Sequence, residues 1–289
     1  MNKEAMKQQI LEALSKRLED GFYITIQKVF KPNRELEGLL IMAEDEIISP
    51  TIYLEPFYEV LNSGKSVEYV VNRILQAYDS ARSETVHFDI ESLYDFDHAK
   101  DRLYVQLVNR HLNKTLLQNA PHSMFLDDFA IIVRCTVEAS EDGDASFLVH
   151  NKHLDIWQTD AETILSDAIR NTRRMLGVEL MSMGEFFQKM VPEIPSEPSP
   201  LWILTNRKKL AGASTALFDD ILKDFAAEHG NFYVIFSSIH ELLLIPTPDD
   251  SNIDEITKMN QQVNEEQLDV EEVLGTKAYY YSKDRGFVL

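Results

Sequence analysis

Only one cysteine, Cys135, occurs in the 289 residues, so no disulfide can form within the chain. A lone thiol fits a reducing compartment, and the expected location is the cytoplasm. Long apolar runs are missing as well. The best stretch, Phe232 to Ile245, is interrupted by Ser237, Ser238, His240 and Glu241, well short of the roughly 18 to 20 apolar residues that a membrane helix requires. Met1 to Asp20 mixes Lys3, Glu4, Lys7, Glu12, Lys16, Arg17 and Glu19 among its apolar positions, which leaves no signal-peptide core. Positive charge is scarce: Lys and Arg number 28 against 48 Asp and Glu, a formal net charge of −20. That balance repels phosphate backbones and anionic membranes, so neither is an expected partner. The chain contains no glycine-rich phosphate loop, dinucleotide fingerprint or D-x-D-x-D-G calcium loop, and no cofactor or metal is expected.

What is present is ordinary globular material, with 44% hydrophobic and 26% charged residues. Met6, Ile10, Leu14 and Leu18 recur at helical spacing over 3–19; Val67, Val70, Val71, Ile74, Leu75 and Tyr78 mark a second helix face. Strands are expected from Phe22 to Val29, Leu39 to Met42, Leu103 to Val108 and Phe129 to Val137, with Cys135 on the apolar side of the last. Thr159 and Glu162 form a T-x-x-E capping box for a helix over 160–175. Leu217, Phe218, Ile221, Leu222 and Phe225 give another helical stripe ending at Gly230. Short strands follow near 201–204, 232–236, 241–245 and 278–281, and Ile253, Ile256 and Val263 mark an amphipathic helix in the acidic segment 249–272. The fold class is therefore α+β, with mixed helices and mostly antiparallel sheets in two packed units. The acidic turn Glu141-Asp-Gly-Asp144 places the boundary, giving an N-terminal unit over 1–145 and a C-terminal unit over 146–289 with a Pro-rich connection at 192–200.

Several segments taken together carry a resemblance: Tyr53-Leu-Glu-Pro-Phe-Tyr58, Phe147-Leu-Val-His-Asn-Lys-His-Leu-Asp-Ile-Trp157, Leu201-Trp-Ile-Leu-Thr-Asn206, Gly212-Ala213 and Phe236-Ser-Ser-Ile-His-Glu-Leu-Leu-Leu-Ile-Pro246. They resemble an uncharacterised clostridial family from gut Firmicutes, known only as a domain of unknown function. The second half is also similar to the C-terminal part of an uncharacterised bacillar family. The resemblance implies a bacterial, intracellular α+β protein and assigns no catalytic residue.

Candidate chemistry rests on few residues. His150, His153 and Asp155 combine imidazole and carboxylate, the groups that ligate transition metals or exchange protons. His240 and Glu241, beside Ser237 and Ser238, supply the residue types of hydrolase chemistry, but position 244 is Leu, so the second histidine of H-E-x-x-H is missing. The pairs Asp127–Asp128, Asp219–Asp220 and Asp249–Asp250 read as solvated turn and helix-end acids. Arg170, Arg173 and Arg174 sit where a helix C-terminus favours cations, and Arg207, Lys208 and Lys209 form a second basic group. The leading functional expectation is a noncatalytic, acidic cytosolic protein that binds or regulates a protein partner. The alternatives are a hydrolase or metal-dependent enzyme built on the His/Asp/Glu residues, and a nucleic-acid mimic whose carboxylates imitate phosphate.

Overall fold

The computed structural model describes residues 2–18, 21–43, 49–83, 91–140, 143–191 and 199–288. The Pro-rich run from 192 to 198, and Glu141 and Asp142 of the acidic turn, lie outside them. Two compact units emerge, Met1–Phe88 and Asp89–Leu289. The boundary drawn from sequence at 145/146 falls inside the second of these, within a strand that completes a hairpin. No helix among the described residues is long and apolar enough to cross a membrane.

In the first unit, α1 (Lys3–Ser15) is followed by the hairpin β1 (Phe22–Lys31) and β2 (Arg34–Ala43), the short β3 (Ile52–Tyr53), α2 (Glu55–Asn62) and α3 (Val67–Ser83). The hairpin pairs Phe22 with Ala43 and Lys31 with Arg34, closing over Pro32 and an Asn33 at φ 59°. Asparagine tolerates that left-handed conformation, which is why the turn forms there. The two helical stripes read from sequence meet: Met6, Ile10 and Leu14 of α1 share a core with Val70, Val71, Ile74 and Tyr78 of α3 and with Leu39 and Ile41 of β2. Each such aliphatic side chain contributes about 1.5–3 kcal/mol by leaving water.

The second unit contains two antiparallel sheets around one core. The first sheet is built on β6 (Phe129–Ser140), which pairs with β4 (Leu103–Asn109) on one side and with β5 (His122–Phe125) and β7 (Gly143–Leu148) on the other. The second runs β13 (Gly286–Val288), β12 (Ala278–Ser282), β10 (Phe232–Ile235), β11 (Leu242–Pro246), β9 (Trp202–Thr205) and β8 (Glu179–Ser182). Leu103, Val105, Leu107, Val133 and Cys135 of the first sheet bury against the same core as Leu204, Val234, Leu242 and Leu244 of the second. The fold class is α+β, as expected from sequence.

Helices fill the connections: α4 (Phe96–Ala99), α5 (Lys114–Asn119), α6 (Asn151–Trp157), α7 (Ala161–Leu176), α8 (Met183–Met190), α9 (Asp219–His229) and α10 (Ile253–Gln267). The α7 stripe Ile164, Leu165 and Ala168 is buried as its spacing implies. Its cap differs from the expected Thr159–Glu162 box. Asp160 is the N-cap, and its carboxylate accepts from both the Thr163 N–H (2.8 Å) and the Thr163 hydroxyl (3.1 Å), two bonds that the Thr159 hydroxyl could not match.

Candidate functional site

His150 is the N-cap of α6, and its N–H donates to Nδ1 of His153 at 2.9 Å. The His153 ring lies among Phe147 (5.2 Å between centroids), Trp157 (5.5 Å) and His150 (5.8 Å). Burial, with the nearby His150 and Lys152, pushes the His153 imidazole down to about 4. Burial also lowers His150, against the opposing backbone hydrogen bond of Asn119. Near neutral pH the His153 ring is therefore a neutral acceptor that closes a helix start, and Nδ1 is occupied by that bond. Asp155 stands exposed on the same short helix.

His240 and Glu241 occupy the connection from β10 to β11. The His240 N–H donates to Ser238 Oγ at 2.9 Å, its Nδ1 lies 3.1 Å from the Lys209 carbonyl, and its Nε2 lies 3.6 Å from Glu272 Oε1. Burial raises the Glu241 carboxyl above the usual range, opposed by a hydrogen bond from Ser238. Ser238 is itself almost fully buried, its backbone bridging Val273 while its hydroxyl accepts the His240 N–H. The connection is clamped from below. Thr205 Oγ1 donates to the His240 carbonyl at 2.7 Å, and a Cβ on Gly212 would stand 2.0 Å from that same oxygen. Only glycine fits that approach. The preceding loop holds Lys209 and Ala211 at φ 53° and 49°, shaped by the buried Asn206 carboxamide, which accepts from the Lys208 and Leu210 N–H groups and donates to the Leu210 carbonyl.

The two histidine groups have separate partners. No three His, Cys, Asp or Glu side chains among the described residues come together as a metal-ligand set. The arginines of the first basic group have partners: Arg173 grips Asp220 with two bonds (2.9 and 2.7 Å), Arg174 reaches the Asp101 carbonyl (2.9 Å) and Arg170 pairs with Asp167. The Lys209 ammonium lies over the Phe186 ring.

One constellation went unseen in the sequence. Asp128, expected to be a solvated turn acid, accepts from Lys277 Nζ (2.7 Å) and the Tyr279 hydroxyl (2.6 Å), with His111 Nε2 at 3.2 Å. Despite partial burial, these partners hold its carboxyl below the usual range. It ties the start of β6 to β12 and to the loop after β4. No local pattern announces it, because Lys277 lies 149 residues away in the chain.

The densest charge lies elsewhere. Between Asp249 and Glu272 there are nine carboxylates and a single cation, Lys258. The helix in this segment, α10, faces the body of the unit with amides. Asn260 donates to the Gly275 and Thr276 carbonyls (3.2 and 2.9 Å), and Asn264 donates to Gly275 (2.8 Å) while accepting from Ser237 Oγ (2.8 Å). Val263, expected on the buried stripe, is 45% exposed, and Met259 is 49% exposed. Carbonyls at 275 and 276 need donors that aliphatic side chains cannot supply, and the helix is rotated accordingly.

No curated protein and no solved structure matches the chain. Residues 3–283 match the model of a family of unknown function, DUF5688, and the chain belongs to that family.

Proposed function

We propose that this protein is noncatalytic and works in the cytoplasm of a bacterium of the clostridial group, engaging a protein partner through its acidic surface. The observation that carries this reading is the 249–272 segment, with nine carboxylates against Lys258 alone. The chemically capable side chains support it from the other direction. The His153 Nδ1 accepts a backbone N–H, Ser238 is buried as a bridge, and Arg173 is paired to Asp220. A concentrated negative surface accelerates encounter with a positively charged partner and selects against acidic ones.

The test is affinity capture from a clostridial lysate with the full chain as bait, eluted by a salt gradient. A stoichiometric protein released as salt rises is the expected result, since screening weakens exposed ion pairs. Repeated capture that recovers no stoichiometric partner would overturn the reading.

A further inference from the structure

One flank of α10, bordering its buried face, has the pattern of one half of a helix pair. Ile256, Met259 and Val263 are spaced by three and then four residues, the a-d-a spacing of helices that pack side by side. Ile256 is half-buried while Met259 and Val263 are exposed. The exposed part of this stripe does not hold the helix, because Asn260 and Asn264 anchor it from the adjoining face. In the same frame Glu255 flanks the seam at a g position and Glu266 takes the following d position, before the helix ends at Gln267. The e and g places, which select the partner in paired helices, hold Glu255, Gln262 and Gln267, with Asn260 turned to the body of the unit, and none is basic.

We infer that α10 docks a basic amphipathic helix of a protein partner along Ile256, Met259 and Val263, its Lys or Arg residues facing Glu255 and Glu266. The inference rests on the partner-binding reading above and names the partner's chemistry. Charge complementarity selects this occupant over a second copy of the chain, whose α10 would bring like charges together.

The probe is a fluorescent three-heptad peptide with Leu at the a and d positions and Lys at e and g, titrated with the full chain and followed by anisotropy. A second peptide of identical composition has its leucines shuffled out of register. The patterned peptide is expected to bind at least about tenfold more tightly than the shuffled one, and the M259S/V263S variant to lose at least about tenfold of that affinity. Both substitutions are at exposed positions, and an unchanged circular dichroism spectrum and unfolding midpoint verify the fold. Equal binding of the two peptides would show polyelectrolyte attraction only and overturn the proposal. So would unchanged affinity in the variant, or no peptide binding. If the lysate partner is captured equally by wild type and M259S/V263S, the α10 assignment fails while partner binding stands; if neither captures one, the underlying reading fails.

Discussion

Cys135 is fully buried on β6, and burial pushes its thiol up to about 12. A thiol so placed has almost no thiolate near neutral pH. The folded protein is expected to resist a thiol-specific reagent that reacts fully once urea unfolds it; stoichiometric labelling of the native state would contradict the buried assignment. This residue was legible in sequence because strand alternation puts it with Ile131 and Val133, and all three join the core. Asp128 was not legible, since its partners His111, Lys277 and Tyr279 are gathered only by the fold. Its folded carboxyl lies below the unfolded value of about 3.9, so the charged form stabilises the native state above that pH and the contribution is lost as pH falls through the folded pKa. Asp128→Asn should lower stability at pH 7 by about 1.5–3 kcal/mol, and urea titrations at decreasing pH should show the gap closing in the acid range. A constant gap at every pH would assign the loss to packing instead of charge.

At the scale of elements, periodicity located the helices and long-range polar demand oriented them. The stripes of α1 and α3 meet as their spacing implies because their apolar side chains bury against one another. Along β4, Thr172 of α7 shows the other influence: its hydroxyl accepts the Val105 N–H at 2.9 Å and donates to the Ala168 carbonyl at 2.6 Å, covering a strand edge. The same logic rotates α10, and apolar spacing alone cannot reveal it. His150 and His153 follow this pattern too; their proximity was visible in sequence, whereas their use as a backbone cap depends on where α6 begins. Asn264→Leu removes the acceptor for the buried Ser237 hydroxyl and the shorter of two donors to the Gly275 carbonyl, which keeps the Asn260 bond. A cost of about 1–3 kcal/mol in denaturant unfolding is expected. A neutral or stabilising effect would show that the hydrophobic effect, not these amides, anchors the helix.

For the whole molecule, charge is the property that composition displays most openly and that structure localises. A net charge of −20 keeps a protein soluble at some cost in self-repulsion, and by itself names no partner. Its concentration in 249–272, around a helix that exposes Met259 and Val263 on one flank, gives that charge a place to act. The division of the chain was less legible. The acidic segment Glu141 to Asp144 has the polar composition of a boundary, yet the strands on either side of 141–142, β6 and β7, pair with each other within the second unit.

The most direct measurement compares capture by the wild-type chain with capture by a variant carrying Glu255→Gln, Glu265→Gln and Glu266→Gln, at one fixed salt concentration. These carboxylates are exposed on α10, so the substitutions change charge while leaving the buried Asn260 and Asn264 anchors in place. Loss of most of the bound partner, with an unchanged unfolding midpoint, is the expected result. Capture at full stoichiometry by the neutralised variant would contradict an acidic, α10-centred binding surface.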